Sequence, residues 1–450
     1  MRDPAPSRPD GLVVVLGGGI AGLAAADRLS RAGLRVLVLE RRPHAGGMHQ
    51  ARHIGPYTFD AGSIFYEENA GLFGLAPGLR GLCPGVTRVQ RRIAPDGSVR
   101  HYPFEPRELL DQPLPDLVHA LADLAWARLM VRRDGTLDAL CHKRLGRRLF
   151  VSTGLASYIA RFHHIPPDGI DESFFFHRMA YVARVTRPGG LARMAMRSLP
   201  HATSACTRKR PPLRVRPREG FSPLFERIIA HLAARGVEFR FGEELFTLQR
   251  KDRFFLLCTT TGAFPAEAVV STVPLDTLHK AMFGTGSGLV SLDMTTLFVS
   301  AAKLDPRLGN VLYNFHRIGW WKRVTIYSRI YPEPDTGRDF FAVEATIPQD
   351  GRHDPGATFT DFQRHMTGLG LAEDLVLEGH EHVEGCYPLY TPGSGVNVRQ
   401  VLDRISRTEV VLAGRQGRFE YLPTSSGVIR RVAEELDAAR HLATVSGRST

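Results

Sequence analysis

The sequence predicts an α/β protein: a Rossmann-type nucleotide-binding domain, with a parallel central sheet and a small antiparallel one, interrupted by an inserted α+β domain. Three observations lead there. The apolar run Leu12 to Leu16 is followed by Gly17, Gly19 and Gly22 at GxGxxG spacing, and a second apolar run, Leu34 to Leu39, ends in Glu40. Much later, strand-like runs at Val237 to Phe241, Leu245 to Arg250, Phe254 to Thr261 and Ala268 to Thr272 succeed one another over short turns. Near the C-terminus, Val410 to Ala413 reads as one more buried strand that opens onto the glycine turn Gly414-Arg415.

The first of these stretches carries the chemistry. Gly17 permits a tight turn out of the strand, Gly19 lets backbone approach a pyrophosphate, and Gly22 lets the following helix, Ile20 to Ala32, pack close to the strand. Phosphates then meet the helix N-terminus, where unpaired N–H groups and the dipole favour negative charge. Glu40 stands where a carboxylate accepts hydrogen bonds from ribose hydroxyls, which argues against a 2′-phosphate. Glycines alone also collect in ordinary turns, so the strands, helix and acid in register are what make the dinucleotide site.

Length and composition bound the rest. At 450 residues the chain can form two domains, or one with a large insertion, and 43% hydrophobic with 23% charged residues is ordinary for a globular protein. The five cysteines, Cys83, Cys141, Cys206, Cys258 and Cys386, show no CxxC or metal spacing, so a reduced cytoplasmic protein with packed thiols and no metal is expected. Residues 1–10 are polar and proline-rich, and a flexible N-terminus, not a signal peptide, is expected there. No run of about 18 apolar residues occurs, so a spanning helix is not expected, while peripheral membrane contact stays open.

The net charge of +12 favours anionic partners. The excess is concentrated between Glu172 and Glu219, where Arg184, Arg187, Arg193, Arg197, Arg208, Lys209, Arg210, Arg214, Arg216 and Arg218 occur without an acid. A solvated basic loop, a wall for a phosphorylated or carboxylated small-molecule substrate, and a patch for anionic lipid are the readings that remain. Nucleic acid is not expected, because no helix-turn-helix, zinc-finger or RNA-binding motif accompanies the charge.

In chain order, the pattern is irregular from Tyr66 to Pro106, then helical at Leu117 to Met130 and at Phe150 to His164. Another helix starts at Glu219 to Leu224 and runs to about Ala234, with Gly236 as its stop. Leu289 to Pro388 is rich in aromatic and β-branched residues, as in strands of a mixed sheet. Thr424 or Ser425 is placed to cap a last helix from near Ser426. The organisation expected is a discontinuous nucleotide-binding domain of 11–66, 216–284 and 403–443, a substrate domain of 67–215 and 285–402, and a flexible 444–450.

After Glu40, the residues Arg41, Arg42, Gly46 and Gly47, then Phe59-Asp60-Ala61-Gly62, resemble the E-x5-6-GG and FDxG pattern of a large flavoprotein group. That group holds amine oxidases, phytoene desaturases, protoporphyrinogen oxidases and UDP-galactopyranose mutases. The stretch 150–185 resembles the F-x2-Y-x2-K-x-W-G-x-P segment of protoporphyrinogen-oxidase-like proteins and mutases, with Arg161-Phe162-His163-His164 in place of Lys-x-Trp-Gly. Residues 219–274 resemble the second cofactor-contacting block, 384–390 the AYPVY element, and 410–436 the last block, where mutases carry Asp-Met-Asp instead of Thr424-Ser425-Ser426. The resemblance implies FAD as cofactor, held by Gly17, Gly19, Ile20, Ala21, Gly22, Glu40, Arg41, Gly46, Gly47, Met48, Gly62, Ser63, Leu245, Gly414, Arg415, Tyr421, Ser426 and Val428.

Substrate contacts are expected from Tyr313, Trp321, Arg323, Tyr387 and Arg418, since GWWKRVTIYSR resembles the strand that crosses the active-site mouth, although aromatics at strand spacing also serve as core. His163, His164 and His316, with Arg323, are the catalytic candidates. No GxSxG, HExxH or second GxGxxG occurs, so a dedicated NAD(P)H domain is not expected. An FAD-dependent oxidase or dehydrogenase, protoporphyrinogen oxidase-like or amine oxidase-like, that removes hydride from a small molecule is the leading expectation. A redox-neutral mutase acting on a nucleotide-sugar, with Arg323, Arg415 and Arg418 on the diphosphate, is the alternative, and an FAD-binding partner subunit without activity is the third.

Overall fold

The computed structural model describes residues 11–103, 108, 113–178, 182–183, 186–187, 212–331, 337–348 and 351–442. The termini expected to be flexible lie outside these residues, as do Cys206, Arg184, Arg193, Arg197 and the run Arg208-Lys209-Arg210.

β1 (Leu12–Leu16) is a β-branched, fully apolar strand, which suits a sheet covered on both faces, and it is buried from Val13 onward. Helix α1 (Ile20–Arg31) follows, and β2 (Arg35–Glu40) returns parallel to β1 with Val13 opposite Val36. A hairpin of β3 (Ala51–Ile54) and β4 (Tyr57–Asp60) leads to the short β5 (Phe65–Tyr66). The stretch the sequence leaves irregular then contains β6 (Gly85–Val86), β7 (Gln90–Ile93) and β8 (Val99–His101). Strands of two to four residues, one reading Gln-Arg-Arg-Ile, carry too little alternation to be seen in sequence.

Three helices form the next layer: α2 (Leu114–Met130), α3 (Leu137–Ser152) and α4 (Leu155–His163). The single helix expected from Phe150 to His164 is two, because the chain turns left-handed at Gly154 between α3 and α4. Strand β9 (Leu213–Val215) inserts between β5 and β6. Of the basic stretch, the half-buried Arg214 pairs with Glu68, and Arg216 is completely buried against Asp60, so both are held by carboxylates of the fold.

Helix α5 (Ser222–Ala233) then delivers β10 (Glu238–Phe241), parallel to β2. The antiparallel sheet of β11 (Leu245–Lys251), β12 (Phe254–Thr259) and β13 (Ala263–Ala266) has a third strand beyond the expected hairpin, and β14 (Ala268–Ser271) returns beside β1. After α6 (Leu275–Phe283), a seven-stranded sheet takes β15 (Ser291–Leu304), β16 (Val311–Asn314), β17 (Arg323–Ile326), β18 (Asp339–Ile347) and, after α7 (Pro355–Gly368), β19 (Ala372–Pro388). Its order is β19-β15-β18-β17-β16-β7-β8, so β7 and β8 are joined to strands more than 200 residues downstream. Helix α8 (Ser394–Ser406), β20 (Val411–Leu412) and α9 (Ser425–Ala438) close the chain.

The central sheet is entirely parallel, in the order β10-β2-β1-β14-β20, and draws its strands from three separated stretches. The reversal of order at β1 opens a crevice at the carboxyl ends of the strands, which is where ligands bind in such sheets.

Candidate active site

The crevice is built from backbone. Gly17 N–H donates to the Leu39 carbonyl at 2.8 Å, which ties the loop after β1 to the end of β2. Helix α1 then begins with Gly19 in the capping position, with no side-chain cap and no acid in its first turn. Its N-terminal N–H groups are therefore left without a side-chain acceptor. Glu40 is fixed alongside: one carboxylate oxygen accepts from Gly18 N–H at 2.6 Å and the other from Arg42 N–H at 2.9 Å.

Close approach explains the glycines. A Cβ on Gly22 would lie 1.8 Å from the Gly17 carbonyl oxygen, so any other residue would force α1 away from the loop. The Gly46-Gly47 loop runs against the first one, with Gly46 N–H donating to Gly18 O at 3.0 Å, and a Cβ on Gly47 would lie 3.1 Å from Gly19 Cα. Two side-chain-free walls, an uncapped helix end and a positioned carboxylate are what a dinucleotide needs, and the residues present fit one.

The last block docks on the same place. Ala413 N–H donates to Ser271 O at 3.0 Å, and the single turn Gly414–Gly417 lies against Ala21 at the start of α1. Arg415 donates to the Cys386 carbonyl, and its guanidinium stacks over Tyr387 and over Tyr421, 5.4 Å from each ring centre. Of the two cap candidates in the sequence, Thr424 and Ser425, it is Thr424 that caps α9, accepting from Gly427 N–H at 3.1 Å, and Val428 N–H donates to Thr424 O. Ser426 Oγ accepts from Gly71 N–H and donates to Glu67, tying α9 to the segment after β5. Met48 and Ser63 are exposed, Gly62 is half-buried, Leu245 begins β11 half-buried, and Arg41 lies exposed just past Glu40.

Next to Tyr387 lies a polar cluster that the sequence reading missed in part. Lys322, almost fully buried, has its Nζ 2.9 Å from Glu344 Oε2 and donates to the Tyr387 hydroxyl at 2.8 Å. The same ammonium stands 4.1 Å from the Tyr387 ring centre and 5.0 Å from that of Phe162. Arg323 Nε donates to the other Glu344 oxygen at 2.9 Å. Burial pushes the Glu344 carboxyl up, but Arg323 and Lys322 outweigh burial and hold it at about 2. An aromatic wall adjoins: Tyr313, opposite Arg323 in the β16–β17 register, stacks on Tyr102 at 3.8 Å, and Tyr158 stacks on Phe315 at 4.7 Å.

Cluster and crevice are continuous. Tyr387 touches Lys322 on one side and Arg415 on the other, and Gln416 donates to Gly385 O at 3.2 Å and to Met48 Sδ at 3.6 Å. Lys322 and Glu344 were hidden in sequence because a lysine and a glutamate in strand-like runs read as surface residues. Their only sequence cue was the position of Lys322 within GWWKRVTIYSR.

Other candidates lie elsewhere. Trp321 is fully buried in the core under α7, where its Nε1–H donates to His365 Nδ1 at 3.0 Å. His316 meets His365 Nε2 at 2.9 Å, and His163 contacts the Ile159 carbonyl at 2.9 Å while packing on Phe162 and Phe174. His164 contacts Thr346 O at 2.8 Å. Arg418 is taken up by Glu435 at 3.0 Å and Glu420 at 3.3 Å. None of these five reaches the Lys322–Glu344–Tyr387 group in the contacts described above.

The profile of the flavin containing amine oxidoreductase family matches residues 20–298, well over half of the chain. The chain belongs to this family. An amine oxidoreductase of this kind binds FAD. Among curated proteins, the chain is 55% identical over 51 residues to "Lysine-specific histone demethylase 1 homolog 2" of Oryza sativa subsp. japonica, 11% of this chain and 7% of that protein. It is 49% identical over 53 residues to "1-hydroxycarotenoid 3,4-desaturase" of Flavobacterium sp. (strain P99-3), 12% of this chain and 11% of that protein. The matched stretches are thus a small part of those relatives' own length. Among solved structures, reduced UDP-galactopyranose mutase superposes with a TM-score of 0.76 at 16% identity, covering 97% of each chain, which shows a shared fold. Among the described residues no helix is long and apolar enough to cross a membrane, and no group of side chains is arranged to hold a metal ion.

Proposed function

We propose that this flavoprotein is an FAD-dependent oxidase or dehydrogenase that removes hydride from a small molecule held against the Lys322–Glu344–Tyr387 cluster. When bound, FAD supplies the hydride acceptor and the redox chemistry. The chain's own residues do the rest. Glu40 and the α1 N-terminus hold the nucleotide end, Arg415 brings positive charge beside Tyr387, and the rings of Tyr102, Tyr313 and Tyr387 exclude water from the substrate side.

One observation carries this reading over a nucleotide-sugar mutase. Two of the three arginines such an enzyme would turn on a diphosphate are paired with carboxylates, Arg323 with Glu344 and Arg418 with Glu420 and Glu435. Charge also bears on the substrate. Lys322 and Arg323 share the carboxylate of Glu344 and Arg415 lies over the ring of Tyr387, so three cations meet one carboxylate here, a surrounding that disfavours a protonated amine. An uncharged or anionic apolar substrate, oxidised at a C–C or C–O bond, fits this surrounding better.

Anaerobic titration tests the proposal. Porphyrinogens, isoprenoids, hydroxy acids and amines are added to the oxidised holoprotein while the flavin absorbance near roughly 450 nm is followed. Bleaching by an uncharged or anionic substrate, slowed about tenfold or more in Lys322→Met, is expected. Conversion of a nucleotide-sugar that requires prior dithionite reduction, with no net electron transfer, would overturn it.

A further inference from the structure

Helix α2 is inside out. Across its 17 residues it buries only Ala120, Leu124 and Ala127, while Leu114, Val118, Leu121, Trp126, Leu129 and Met130 are exposed. Leu114, Val118, Leu121 and Leu129 fall within one narrow face of the helix, and Trp126 and Met130 widen the exposed apolar arc to about half of its circumference. The exposure is extensive, 71% for Leu114 and 83% for Leu129, and Ala122 and Ala125 on the same arc are exposed as well. Only His119 and Asp116 interrupt the outward side with polar groups. A surface helix of a globular domain shows the opposite arrangement, because exposed apolar area of this size is unfavourable in water.

A basic cluster lies at the C-terminal end of this stripe. From Arg128 to Arg148 the chain carries seven Lys and Arg against two Asp. Arg144 of α3 has Arg128, Arg133 and Arg187 for close electrostatic neighbours. Of the acids there, Glu172 is paired with Arg133 and Asp138 contacts His142 at 3.2 Å, while the exposed Asp134 accepts from Thr136 N–H at 2.9 Å. Arg132, Arg147 and Arg148 are exposed. An apolar stripe about 25 Å long, ending in arginines that lack acidic complement, matches an interfacial helix. Among the described residues, a second copy of the chain would bring that cluster mostly more arginines, with the exposed Asp134 among them, or, turned end for end, Asp116 as the one exposed acid of α2.

We propose that α2 docks the protein on an anionic lipid bilayer, lying in the plane of the headgroups with Leu114, Val118, Leu121, Trp126 and Leu129 in the acyl boundary and Arg132, Arg147 and Arg148 on lipid phosphates. This does not depend on which substrate the flavin oxidises. The same helix layer does bear on it: Ala120 of α2 shares a core with α3, α4, Phe315 and the partly buried Tyr102, Tyr313 and Tyr387. A docked α2 therefore brings the helical layer that packs beneath this aromatic wall next to the bilayer.

The test is flotation of the full-length holoprotein with phosphatidylglycerol–phosphatidylcholine vesicles and with phosphatidylcholine vesicles alone, alongside its mass in solution by light scattering. Binding to the anionic vesicles is expected, weaker at high salt. Leu121→Glu combined with Leu129→Glu should weaken it about a hundredfold, and Arg132→Glu combined with Arg147→Glu should abolish the preference for anionic lipid. All four positions are exposed, so an unchanged flavin spectrum and melting temperature are expected as the control on folding. Failure of the native protein to float, equal flotation of the leucine variant, or a dimer in solution that the leucine variant dissociates without any vesicle binding would each overturn the proposal.

Discussion

Glu344 serves two cations at once, and this sets the character of the site. A carboxylate buried in strand β18 would by itself be driven to protonate, yet Arg323 and Lys322 keep Glu344 charged far below neutral pH. A different residue couples stability to pH. His365 Nδ1 accepts from Trp321, so in the folded protein the ring is neutral with its proton on Nε2, facing His316. Burial, then the neighbouring His316 and Arg161, lower it to about 4 from an ordinary value of 6.5. The unfolded chain binds the proton first, so the contribution of His365 is complete above pH 6.5 and is lost as the pH falls from 6.5 towards 4. Melting temperature should decline across that window, by at most about 3 kcal/mol of stability from this group. In His365→Gln the decline should be shallower than in the native protein, and equal slopes in the two would show that the ring does not carry it.

At the scale of elements, the contact of α1 with the loop after β1 is the tightest requirement in the fold. Replacing Gly22 by alanine puts a methyl group on the Gly17 carbonyl, so the helix must move and take its uncapped N-terminus off the pyrophosphate position. Gly22→Ala is expected to purify with little or no FAD, and a flavin-to-protein ratio equal to that of the native protein would refute the assignment of this crevice. This unit was plain in the sequence because its requirements are local: a glycine spacing, two apolar runs and one acid, all within 30 residues. The cap of α9 by Thr424 was local too. What was not legible was assembled over distance. Strands β7 and β8 mean nothing until β16 pairs with them, and Lys322 and Glu344 look like two surface charges until β17 and β18 bring them together. Trp321 was misplaced as a substrate contact for the same reason, since strand alternation does not say which face the core takes.

Over the whole molecule, one ion pair ties the parts together. Arg216, just after β9, donates to both Asp60 oxygens at 2.8 Å, to the carbonyls of Thr58, Pro217 and Arg218, and lies over the rings of Tyr327 and Tyr331. Tyr327 donates to Asp60 O and Tyr331 to Arg216 O, so the β3–β4 hairpin, the β5–β9–β6 sheet and the segment after β17 meet at a point with no solvent access. A pair so placed is weak evidence of net stabilisation, because both charges are desolvated. Breaking it from one side is another matter. Burial already raises the Asp60 carboxyl to about 6 against the pull of Arg216, so Arg216→Met leaves a buried carboxyl without its partner that must take up a proton or stay uncompensated, and unfolding free energy is expected to fall by about 3–5 kcal/mol. Adding Asp60→Leu to Arg216→Met removes the stranded carboxyl, so the double variant should recover a large part of that loss, a coupling that chemical denaturation of the four proteins would measure. If the double variant were instead as unstable as the sum of the single ones, the backbone carbonyls that Arg216 gathers, and not its charge on Asp60, would be what joins the three sheets.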